Sequence, residues 1–76
     1  MTMSEQPITN DVQLQQQREA LALIEEIMRG YEHDLLHESE PAAQESIRAK
    51  LYRVYTLRYN IMHGIQVYLA QQRQSA

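Results

Sequence analysis

The 76-residue sequence contains no cysteine, no tryptophan and no phenylalanine. Without cysteine there is no disulfide framework, no thiol nucleophile and no cysteine-ligated zinc site. Small secreted domains usually depend on such staples, so their absence points to a reducing, cytoplasmic setting. Only two glycines and two prolines occur, too few for the turns of a many-stranded sheet. No apolar run approaches the roughly 20 residues of a membrane-spanning helix, and the N-terminus lacks a basic-then-apolar signal pattern. No glycine-rich loop is present to cradle a phosphate, and no serine or threonine pairs with a histidine in a triad-like way. Bases are scarce too. The net charge of −3 counts against general nucleic-acid binding. A chain this short has little room for an enclosed pocket, so the expectation is a protein that is not an enzyme and carries no cofactor.

What remains is a chain that is 43% hydrophobic and 22% charged, the mixture of a folding domain. Residues 1–10 are polar around Pro7 and read as a flexible N-terminal tail, leaving 11–76 as a single domain. Pro41, in His37-Glu38-Ser39-Glu40-Pro41, divides that domain in two. Asn10 or Asp11 can cap a first helix, with Gln13 three residues after Asn10 in a capping-box position. Ser39 or Glu40 can cap a second, with Pro41 in its first turn, where a missing N–H costs nothing. The predicted fold is all-α: an antiparallel two-helix hairpin, coiled-coil-like, with helices at about 11–38 and 41–72.

Periodicity defines the seam between them. Leu14, Leu21, Met28 and Leu35 repeat every seven residues, with Ile24 and Tyr31 between and Ala20, Leu23 and Ile27 widening the stripe. Ile47, Leu51, Val54, Ile61, Ile65 and Tyr68 supply the other side. Leu21, Ile24, Met28, Val54, Ile61 and Ile65 are therefore expected to be the most buried residues. Charge supports the same pairing. Residues 1–46 hold all ten acids and only Arg18 and Arg29, whereas 47–76 hold five bases and no acid. Folding the chain back brings opposite fields together, which orients the helices more than it stabilises them.

The second helix has more apolar surface than one partner helix can cover. Beside its seam run Tyr52, Tyr55, Tyr59 and Met62, spaced by three or four residues as helix-in-groove anchors are. Tyrosine combines a large apolar body with a polar tip and is enriched at protein interfaces. These residues are the candidate partner-binding face, against the plainer reading that they lie flat on the hairpin surface. Arg58 interrupts the seam itself. Either its stem packs while its guanidinium escapes to water, or it is a paired charge within the seam or at an interface, with Glu25 the nearest carboxylate. His33 and His37 are four residues apart and could face one metal, but no third ligand accompanies them. They read as solvated histidines, and no metal site is assigned. Arginines interleave with the tyrosines over 51–59 as on nucleic-acid stacking platforms. They project in different directions beside an acidic helix, so no nucleic-acid partner is expected.

The pattern over residues 12–70 resembles the small helical co-chaperones of type III secretion needle subunits. The resemblance rests on size, the hairpin, and a Gln/Glu-rich first helix beginning Val12-Gln13-Leu14-Gln15-Gln16-Gln17. It rests also on the mixed aliphatic and aromatic run Tyr59-Asn60-Ile61-Met62-His63-Gly64-Ile65-Gln66-Val67-Tyr68-Leu69. It implies a cytoplasmic protein that pairs with a tetratricopeptide-like co-chaperone, the pair holding the needle subunit unpolymerised. The alternative is self-association: a homodimeric four-helix bundle acting as a regulator or adaptor.

Overall fold

Asn10 opens the first helix. In the computed structural model, which describes residues 8–75, its backbone is extended and its side-chain oxygen accepts the Gln13 N–H at 2.8 Å. That bond satisfies one of the donors a helix start leaves without a partner. The Gln13 side chain turns back one residue further than a capping box requires, accepting from both the amide and the hydroxyl of Thr9. Helix α1 then runs Asp11–His37 and helix α2 Pro41–Ser75. Between them are three residues, and no described residue has a positive φ. The turn is made instead by an extended Glu38, whose carboxylate accepts the Glu40 N–H and whose carbonyl accepts from the Gln44 side chain. Pro41 follows as the first residue of α2. The two helices pack along their length as the antiparallel hairpin the seam predicts.

The core departs from the expected list. Ile61 and Ile65 are buried, but the other deeply placed residues are Ile8, Leu14, Leu51 and Tyr68. Leu21, Ile24, Met28 and Val54 are only half-buried. The reason is geometric. A single pair of helices covers the middle of its seam from one direction only, so central residues stay open along both edges. At the end away from the turn a third segment closes the gap. Ile8 folds over α1 and joins Leu14, Ile61, Ile65 and Tyr68 in one cluster, with Ala20, Leu21, Ile24 and Leu69 against it. Within the span read as a polar tail, Ile8 is thus a core residue; residues 1–7 lie outside the described part of the chain. A second correction concerns Leu23 and Ile27, assigned to the edge of the seam. They are 61% and 50% exposed, because they sit too far round α1 for α2 to reach.

Candidate partner-binding face

Polar ties across the seam fix the register and sort the surface into two sides. Midway along, Arg58 Nε lies 3.3 Å from Glu25 Oε2, both side chains about one-third exposed. Arg58 is therefore a paired charge at the seam edge. Its carboxylate partner is the one that counting back from the turn selects. Toward the turn, the Tyr55 hydroxyl donates to Glu32 at 2.8 Å. At the far end the Tyr68 hydroxyl donates to Asp11 Oδ1 at 2.8 Å. In both cases the neighbouring carboxylate favours the protonated phenol and pushes the tyrosine pKa up, with burial adding to the shift.

The tyrosine stripe is where the spacing puts it, on the solvent side of α2. Tyr52 and Tyr59 are 73% and 67% exposed. Tyr55 is less so, held partly against α1 by Glu32, and Met62 is half-buried at the stripe's inner edge. A depression of about 350 Å³ on the outer side of α2 is lined by Tyr52, Arg53, Thr56, Leu57 and Asn60, and the rings line two more. One, of about 310 Å³, is lined by Leu35, Arg48, Leu51, Tyr52 and Tyr55. The other, of about 240 Å³, is lined by Arg58, Tyr59, Met62, His63 and Gln66. Tyr59 stacks almost parallel to the His63 ring, with centroids 6.0 Å apart, which fixes its orientation without covering it. Rings held in position but left in water present apolar area at small entropic cost to an incoming surface.

A cluster of titratable side chains lies on α1. His33 and His37 have ring centroids 4.4 Å apart, and Asp34 lies 3.9 Å from His33 Nδ1. These side chains stand on the outer surface of α1. No group of three potential metal ligands occurs among the described residues. No helix there is long and apolar enough to cross a membrane. Compared with known proteins, the chain matches no family model, no curated protein and no solved structure.

A second apolar feature lay hidden in the sequence. Leu23 and Ile27 on α1 and Leu57 on α2 are large aliphatic residues left at least 40% exposed. Their signal was present as an offset, since Leu23 and Ile27 fall outside the seven-residue repeat of Leu14, Leu21, Met28 and Leu35. An apolar arc so wide can mean either a broad seam or two separate faces. Only the packing separates them.

Proposed function

We propose that this chain is a non-enzymatic interaction protein that uses the tyrosine side of α2 to hold another protein. The observation that carries the reading is the pair Tyr52 and Tyr59, largely exposed on a helix whose core has few fully covered positions. Exposed apolar surface of this kind, beside shallow depressions that accept side chains, marks protein–protein sites. Arg48 and Arg58 border the depressions, and α2 carries a single acid, Glu45. The matching partner is accordingly an amphipathic helix whose apolar side chains are flanked by acids. The resemblance to type III secretion co-chaperones supplies a concrete version. A tetratricopeptide-like co-chaperone, itself built of helices, packs on the tyrosine face, and the pair keeps a needle subunit from polymerising.

Purified chain mixed with a tetratricopeptide-like co-chaperone and a needle subunit tests this. Gel filtration should show one soluble complex, and the needle subunit should polymerise without it. Tyr52→Ala with Tyr59→Ala should abolish the complex while leaving helical circular dichroism intact. Retained binding in that double variant would sink the assignment of the face. Absence of any complex with the unaltered chain would sink the secretion reading.

A further inference from the structure

Tyr31 and Glu32 flank the seam on opposite sides of α1, and α2 meets each with a different residue. Tyr55 reaches Glu32, while Lys50 Nζ lies 5.9 Å from the centre of the Tyr31 ring. The tyrosine stripe is on the Glu32 side. Leu23 and Ile27 precede Tyr31 by eight and four residues and so share the other side; Leu57, seven residues after Lys50, joins them there. That side is ordered in three tiers at seven-residue spacing along both helices. Ala20 is level with Gly64, Ile27 with Leu57, and Asp34 with Lys50. The numbers of each pair add to 84, one more than the 83 of the Glu25–Arg58 contact that sets the register. The face thus has a small tier, an aliphatic tier and a tier of opposite charges.

Gly64 has no use within the hairpin. A Cβ there would meet nothing within 4 Å, its φ is not positive, and glycine inside a helix weakens it. Gly30, elsewhere on α1, has equally open surroundings; what sets Gly64 apart is its place level with Ala20, where a second backbone can come close. Charge then decides the occupant. Helix α1 carries six acids and two arginines, net −4; α2 carries one acid and five bases, net +4. The two helices that form the face thus have opposite net charge. On the face itself Asp34 of α1 stands opposite in sign to Lys50 and Arg53 of α2, so the face can complement itself under a suitable rotation.

We propose that this face joins two copies of the chain about a two-fold axis parallel to the helices, so that α1 of each copy lies against α2 of the other. Each tier then meets its own counterpart: Ala20 against Gly64 of the second copy, Ile27 against Leu57, Asp34 against Lys50. The bundle is antiparallel at every contact. Rotation about an axis across the helices would instead set α1 on α1 and bring two helices of net charge −4 together. The dimensions suffice, since the molecule extends 53 × 23 Å across its broad side, an outline of about 1,200 Å² against the about 800 Å² per partner of a stable interface. An interface of this kind is isologous and closes at two copies. It leaves both tyrosine faces outward, so it holds whether or not those faces bind a secretion partner.

Light scattering and sedimentation equilibrium across the micromolar range test the dimer without any partner. The unaltered chain should have twice its 8.9 kDa mass. Gly64→Leu fills the small tier and should give a monomer with undiminished helicity, because the hairpin itself has room for the side chain. Ile27→Glu, at a position half in water, should also give a monomer. Tyr52→Ala with Tyr59→Ala should stay dimeric. A monomeric unaltered chain overturns the proposal, as does a Gly64→Leu chain that remains a dimer. Dissociation caused by the tyrosine double variant alone would move the interface to the other side and overturn it equally.

Discussion

Ile61→Ala removes three carbon atoms from the cluster formed with Ile8, Leu14, Ile65 and Tyr68. Ile61 is 7% exposed, so nearly all of that side chain leaves water on folding. At about 0.8 kcal/mol per buried carbon the transfer loss is about 2.4 kcal/mol. A cavity contribution comes on top, but the cluster is one layer deep with no described side chain completely enclosed. Neighbours and water can relax into the gap, which keeps the total in the lower half of the usual 2–5 kcal/mol, about 2–3 kcal/mol. A hairpin of this size has about 3–5 kcal/mol to lose. About half of its stability or more should therefore disappear. Urea unfolding followed by helical circular dichroism reads the change as a fall in midpoint at unchanged slope. Leu36→Ala is the control. Leu36 is 84% exposed, and its replacement should move the stability by no more than about 0.5 kcal/mol. Low protein concentration keeps self-association from adding to either value. An Ile61→Ala chain within about 0.5 kcal/mol of the unaltered one would refute the placement of the core. So would a Leu36→Ala loss of similar size to that of Ile61→Ala.

Two further outcomes follow from the ties across the seam. The Tyr68 hydroxyl, raised in pKa chiefly by its bond to Asp11, contributes stability that is fully present below the ordinary phenol value of about 10. That contribution is lost as the pH rises through the higher folded value. Thermal midpoints of Tyr68→Phe should therefore be lower than those of the unaltered chain at neutral pH and should converge on them at strongly alkaline pH; parallel curves would refute the bond. Arg58→Met exchanges a one-third-exposed ion pair for an apolar side chain of similar length. Exposed pairs contribute about 0–1 kcal/mol, so the urea midpoint should change little, and its dependence on salt should weaken. A loss above about 2 kcal/mol would show that Glu25 and Arg58 hold the hairpin together rather than merely align it.

Local physics made much of this molecule readable from its sequence. Pro41 marked the turn, Asn10 or Asp11 the first helix start and seven-residue repeats the two facing stripes, while the few residues between the segments forced them antiparallel. Turn position alone set the register, and counting back from it selected Glu25 as the carboxylate for Arg58. The tyrosine stripe was likewise visible, because spacing of three and four residues places side chains on one side of any helix. Tertiary structure decided what each stripe covers. Periodicity gives the direction of a side chain but not the reach of the opposing helix. It could not tell that Leu23 and Ile27 escape the seam and belong with Leu57. Nor could it place Ile8 in the core, for an isolated aliphatic residue beside a helix cap carries no period at all. Gly64 is the sharpest case: in the sequence it is only a weak point in a helix, and only the packed pair puts it level with Ala20 on the side away from the tyrosines, with room for a side chain.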